Sequence, residues 1–221
     1  MILFFDLDGP LLDVSQRYSI LHRDLLERLG VSALSPEVYW QRKRQRCSEA
    51  AMLKELGASE LEPFYTFRRL ELIETESYMA HDHVWPWTIS ILSDLVACYP
   101  LILVTTRSKR EALERQLTRL GLRRFFNAVL SEPASDPVDG QKARLIQDYL
   151  AGQRLPTRGH WVIGDTEADI GAGHLLGFIT VGVRCGIRDD EHLVKMKPTY
   201  LIDDIRALPD LVLRKDETCQ S

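Results

Sequence analysis

"FFDLDGP", residues 4–10, closes an apolar run that begins at Ile2. A short unbroken apolar stretch is the pattern of a strand buried on both faces of a parallel sheet. Asp6 and Asp8 then fall at its carboxyl end, where a glycine and a proline turn the chain. Taken alone, such a pair describes a surface turn as well as it describes a metal or catalytic site. Working outward, similar apolar runs recur at "LILVTT" (101–106), "NAVLS" (127–131), "WVIGD" (161–165) and "FITVGV" (178–183). Helical patterns alternate with them, which predicts an α/β layer fold around a parallel central sheet.

The helical pattern after "LILVTT" carries start and stop signals. Ser108 and Glu111 have the spacing of a capping box, Leu113, Leu117 and Leu120 share one stripe, and Gly121 stands where a left-handed residue ends a helix. "GQKARLIQDYL" (140–150) and "EADIGAGHLLG" (167–177) read as two more helices feeding strands. Between residues 13 and 83 the texture changes. "SQRYSILHRDLLERLG" spaces Tyr18, Leu21, Leu25 and Leu29 along a helix, and "CSEAAMLKELG" and "FRRLELIETESYM" also read as helical, without a buried-strand run. This predicts an all-helical insertion over 13–83 in a core made of 1–12 and 84–221, with the chain crossing between them near 9–14 and 82–87. The polar tail beyond Pro209 is expected to fray, with "LVLR" as a short edge element.

With 221 residues the chain can bury a substantial core. Its 28 basic and 32 acidic residues leave a net charge of -4, which supplies no basic field for a long polyanion, so nucleic acid is not an expected partner. The dense basic patch "RKRQR" (42–46) reads either as a solvated helical face or as an attractor for an anionic substrate. Four cysteines stand far apart with no CxxC pair, as in a protein of a reducing compartment. No apolar run is long enough to cross a bilayer, and no basic leader precedes "ILFFDLD". A cytoplasmic protein without a membrane partner is therefore expected. "HDHVWPW" (81–87) puts imidazoles near a carboxylate, but without the spacing of a zinc site it reads as a packed turn.

Four stretches share one context, each ending an apolar run or opening the helix beside it: "DLD" (6–8), "VTT" (104–106), "GQK" (140–142) and "GDTEAD" (164–169). This ordered set resembles the haloacid dehalogenase-like (HAD) hydrolase superfamily, in particular its phosphoglycolate phosphatase-like branch, over nearly all of the predicted core. The resemblance implies a Rossmannoid core with a C1-type helical cap. It also implies Asp6 as nucleophile, Asp8 as general acid/base, Thr105 as a hydroxyl touching the transferred phosphoryl group and Lys142 as the phosphate-orienting cation. A magnesium ion (Mg2+) is implied at Asp6, Asp165 and the backbone carbonyl of Asp8, with Asp169 supporting it.

The chemistry suits those residue types. A carboxylate with an ordinary pKa of about 3.9 is ionised at neutral pH, and a divalent cation reduces its repulsion from a phosphate dianion. Asp8 would protonate the leaving oxygen and then activate water against an aspartyl-phosphate. Thr106 is a local rival for Thr105, and Pro10, where many relatives carry threonine or valine, removes a backbone donor from the loop. The implied activity is magnesium-dependent hydrolysis of a small phosphorylated metabolite, phosphoglycolate first. A sugar-phosphate mutase and a noncatalytic phosphate-binding scaffold remain as alternatives. Arg17, His22, Arg42, Arg44, Arg68 and Arg69 are the insertion's candidates for an anionic substrate tail. The apolar stripes of its helices leave a homodimer open.

Overall fold

The structure is a computed structural model that describes residues 1–132 and 140–219, with side chains through residue 214. In chain order, β1 (Leu3–Phe5) and β2 (Leu12–Asp13) precede five helices, α1 (Ser15–Arg28), α2 (Pro36–Arg44), α3 (Glu49–Glu55), α4 (Glu62–Leu72) and α5 (Glu76–Met79). Then come β3 (His83–Val84), α6 (Thr88–Val96), β4 (Leu101–Thr105), α7 (Arg110–Arg119), β5 (Ala128–Ser131) and α8 (Gln141–Gly152). The chain continues through β6 (Trp161–Gly164), α9 (Glu167–Leu176), β7 (Ile179–Val183), α10 (Asp190–Lys195), β8 (Tyr200–Ile202) and α11 (Leu208–Cys219).

β1 is central because all three of its side chains are fully buried. Leu3 and Phe5 point to one face of the sheet, where they join Leu92, Leu95, Leu113, Leu117 and Val212 of α6, α7 and α11. Phe4 points to the other, against Ile146 and Leu150 of α8. The strand pairs in parallel with β4 on one side and β6 on the other, in the order β5-β4-β1-β6-β7-β8. Strand order thus reverses at β1, and the crevice beyond its carboxyl end is where open α/β sheets bind ligands.

The helices α1 to α5 form an inserted cap with an apolar centre of their own, including Leu21, Leu25, Leu26, Leu53 and Tyr65. Serine side chains start two of them: Ser35 accepts from the Val38 amide and Ser48 from the Ala51 amide. The chain crosses between cap and core twice, and the crossings pair with each other as an antiparallel ribbon, Leu12 opposite Val84 and Asp13 opposite His83.

Three local expectations change. Ser108 does not open a capping box; its amide and hydroxyl both bond to Glu74 of the cap, 2.8 and 3.0 Å away, and α7 starts two residues later. "FRRLELIETESYM" forms two helices rather than one, since Ile73 ends α4 and Thr75 precedes α5. "LVLR" belongs to α11 rather than to an edge strand, because Val212 on that helix closes the core against α6. The sheet's last strand is instead β8, paired with β7.

Candidate active site

The carboxyl edge of the sheet gathers the expected residues. Asp6 follows β1, Thr105 ends β4, and Asp165 follows β6, all buried. Lys142 in the first turn of α8 and Asp169 in the first turn of α9 close in from the neighbouring helices. Lys142 Nζ donates to Asp6 Oδ1 at 2.6 Å and to Asp169 Oδ1 at 2.5 Å. The other oxygen of Asp169 accepts from the Thr166 hydroxyl and amide at 2.7 and 3.1 Å, a capping box that fixes its rotamer. Helix capping and site building are here one arrangement.

Oxygens of Asp6, Asp165 and Asp169 lie within 4.8 Å of one another. Asp165 Oδ2 accepts the Ile187 amide, while its Oδ1 is buried without a partner. Two glycines make room for this carboxylate: a Cβ on Gly9 or on Gly186 would collide with it, and Gly9 also holds a φ of +107° that other residues rarely adopt.

Burial pushes Asp6 up to about 7 even though Lys142 pulls the other way, with Asp169 and Asp8 adding repulsion. Asp165 is raised well above the carboxylate range, by burial first and then by Asp6 and Asp169. The expectation that Asp6 ionises without tuning therefore meets a dry, acidic pocket that opposes it. Three buried carboxylates, one of them with an unpartnered oxygen, share a single ammonium and form an oxygen donor set short of positive charge. That composition fits a hard divalent cation.

Asp8 stands outside this group. Its carboxylate accepts from Arg17 at 2.6 Å and from Arg107 at 2.5 and 3.2 Å. Burial alone would raise it, but Arg107 and then Arg17 overcome that and hold it well below the carboxylate range. Both arginines also reach Asp82, at 3.2 Å each. Gln116 donates to Asp82 at 2.7 Å and accepts from Arg107 at 2.9 Å. Arg107, Asp82 and Gln116 were not singled out from the sequence as site residues. A signal existed for Arg107, which directly follows "VTT"; Asp82 was hidden in "HDHVWPW", which does pack as a turn, with Trp85 stacked on Trp87 and donating to the Gly9 carbonyl at 2.8 Å.

A cavity of about 330 Å³ opens over this edge. Asp6, Asp8, Thr105, Lys142, Arg17 and Arg69 are on its wall, and Thr106 lines it as well. Of the candidates for an anionic tail, Arg17 and Arg69 face the cavity, whereas His22, Arg42, Arg44 and Arg68 do not. His22 is packed inside the cap, stacked on Tyr39 and bonded to the Tyr65 hydroxyl at 2.8 Å. Of "RKRQR", Arg46 lines the cavity, and Arg42 pairs with Glu55 at the surface. Asp6, Asp165 and Asp169 are the cluster of metal-capable side chains among the described residues, and no helix there is long and apolar enough to cross a membrane.

The sequence profile of the haloacid dehalogenase-like hydrolase family matches residues 3–183. Over 203 residues the chain is 23% identical to a phosphoglycolate phosphatase of Synechococcus elongatus, covering 91% of this chain and 92% of that protein. It is 20% identical over 212 residues to the pyrophosphatase PpaX of Oceanobacillus iheyensis, covering 95% of each. The fold superposes on a solved haloacid dehalogenase-like hydrolase from Streptococcus pneumoniae with a TM-score of 0.75 at 21% identity, over 96% of this chain and 97% of that one.

Proposed function

The chain belongs to the haloacid dehalogenase-like hydrolase family, and from that premise we propose that it is a magnesium-dependent phosphatase of small phosphomonoesters that works through an aspartyl-phosphate on Asp6. The observation that carries this reading is the bridge from Lys142 to Asp6 and Asp169 beside the unpartnered oxygen of Asp165, at the carboxyl edge of the central strand. Asp6, Asp165, Asp169 and the carbonyl of Asp8 would hold the Mg2+. When bound, the ion supplies positive charge that favours ionised carboxylates and shields phosphate oxygens.

The chain's own groups do the rest. An oxygen of Asp6 attacks phosphorus, and Lys142, freed from part of its bond to Asp6, meets the charge that moves onto the phosphoryl oxygens. Thr105 donates its hydroxyl to one of those oxygens. Asp8 delivers a proton to the departing alkoxide and later takes one from the water that cleaves the aspartyl-phosphate. As held here it is an anion, so the acid step requires Arg17 and Arg107 to turn toward Asp82, which both already touch. Residues 13–83 act as the cap that closes this chemistry off from bulk water, over a core of 1–12 and 84–221.

Phosphoglycolate is the first substrate to try, on the similarity to the Synechococcus elongatus phosphatase and on Arg69. That side chain lines the cavity, with its Nε directed at Glu49 3.9 Å away, and its guanidinium offers positive charge where a substrate carboxylate would lie. Phosphate release from a panel of phosphorylated metabolites and pyrophosphate, with Mg2+ or chelator, tests the reading. Magnesium-dependent release that Asp6→Asn lowers at least ~1,000-fold, in a protein of unchanged fold, is expected. Undiminished release by that variant sinks the proposed nucleophile.

A further inference from the structure

The carboxyl end of α2 makes a contact with the core that neither the proposed chemistry nor the proposed substrate uses. The helix finishes with the Cys47 amide bonded to the Arg42 carbonyl and the Arg46 amide to the Lys43 carbonyl, with Arg46 left-handed at a φ of 59°. That ending frees the Arg44 carbonyl, which accepts the Asp189 amide at 3.2 Å. The Arg44 guanidinium donates to the Gly186 carbonyl at 2.6 Å and to the Arg184 carbonyl at 2.9 Å. Arg44 therefore clasps the loop 184–189 from the cap side with both its backbone and its side chain.

The Gly186 carbonyl and the Ile187 amide are the two ends of one peptide unit. Arg44 holds the oxygen of that plane, and its N–H donates to Asp165 Oδ2. A trans peptide is rigid, so fixing the oxygen fixes the direction of the N–H. Donation to a carbonyl also polarises the same amide and strengthens the bond it gives. Glycine at 186 brings this plane against Asp165, since a Cβ there would strike the carboxylate, and it is also the residue whose backbone turns most readily once unclasped.

We propose that Arg44 is a positioning residue that couples docking of the cap to divalent-cation affinity, through the single peptide plane that orients Asp165. This rests on the reading of Asp6, Asp165 and Asp169 as the cation site. Partners of a metal ligand of this kind change affinity by about 10–100-fold when removed. A role confined to holding the cap down would leave cation binding in the absence of substrate unaltered.

Calorimetric titration of the whole protein with MgCl2, without substrate, decides the matter. Arg44→Met should raise the Mg2+ Kd about tenfold or more. Arg42→Met, on the same helix but paired with the surface Glu55 of the cap rather than with the core, should match wild type. In the metal-free protein the Ile187 amide should lose protection from hydrogen exchange in Arg44→Met while amides of β1 and β6 keep theirs; that comparison also shows the variant is folded. Arg44→Lys, which can still reach one carbonyl, should lie between the two. A Kd within twofold of wild type in a folded Arg44→Met protein, or an unchanged Ile187 exchange rate, overturns the coupling and leaves the phosphatase reading intact. A wild-type protein that binds no Mg2+ overturns the cation site itself, and the coupling with it.

Discussion

At the scale of single residues, the site is built by competing pulls on carboxylates. Asp6 and Asp165 are driven toward their neutral forms by burial and by neighbouring carboxylates, while Asp8, two residues along the same loop from Asp6, is locked as an anion by two guanidinium groups. The same residue type is thereby tuned in opposite directions by what surrounds it. Arg69 stands on the cavity wall with, among the described residues, only a 3.9 Å ion pair to Glu49, and charge-assisted bonds of its kind contribute about 1.5–3 kcal/mol. Arg69→Met should accordingly raise the KM for phosphoglycolate by roughly 10-fold to 100-fold. Hydrolysis of a monoester without a carboxylate, such as p-nitrophenyl phosphate, should change little. Equal losses on both substrates would show that Arg69 does not read the carboxylate.

At the scale of elements, α1 packs against α2 and α4 through His22, which stacks on Tyr39 and meets Tyr65 edge-on, with its Nε2 buried and unpartnered. Burial, more than its charged neighbours, brings its pKa down to about 4. The folded state thus refuses a proton that the unfolded chain accepts below about 6.5, so the effect destabilises the fold as pH falls from 6.5 toward 4. The total is about 3 kcal/mol. Urea unfolding at pH 7 and pH 4.5 should show a shallower pH dependence for His22→Gln than for wild type; parallel slopes would deny His22 that part. Much of this element layout was legible in the sequence. β1, β4 and β6 read as continuous apolar runs because both faces of a central parallel strand are buried, and Gly121 marked a helix end because the left-handed turn favours glycine. What escaped was set by distant partners. Ser108 carries a local capping signal, yet a carboxylate from the cap takes its place. β8 is only three residues long, too short for alternation to register. Asp82, Arg107 and Gln116 became site residues only when the fold brought the end of the insertion against β4 and α7.

At the scale of the whole molecule, cation binding should be visible as global stability, because the proposed ligands follow β1 and β6 and open α9, and cannot assemble in the unfolded chain. Mg2+ at about one hundred times its Kd adds about 2.7 kcal/mol. For a chain of this size that is a rise in Tm of about 5–10 °C. Asp165→Asn should abolish the rise, and a shift that survives this change would place the ion elsewhere. The ribbon of β2 and β3 bears on how such a molecule assembles in time. Residues 12 and 84 pair across the whole insertion, so helices that have drawn their own ends together also shorten the path from β1 to β4. The entropy of closing a flexible loop grows only with the logarithm of its length, but a collapsed helical insert removes most of that span at once. The ribbon thus serves as the seam where two folding units become one. Variants that weaken it should slow the refolding of the central sheet, although none of its residues lies in that sheet.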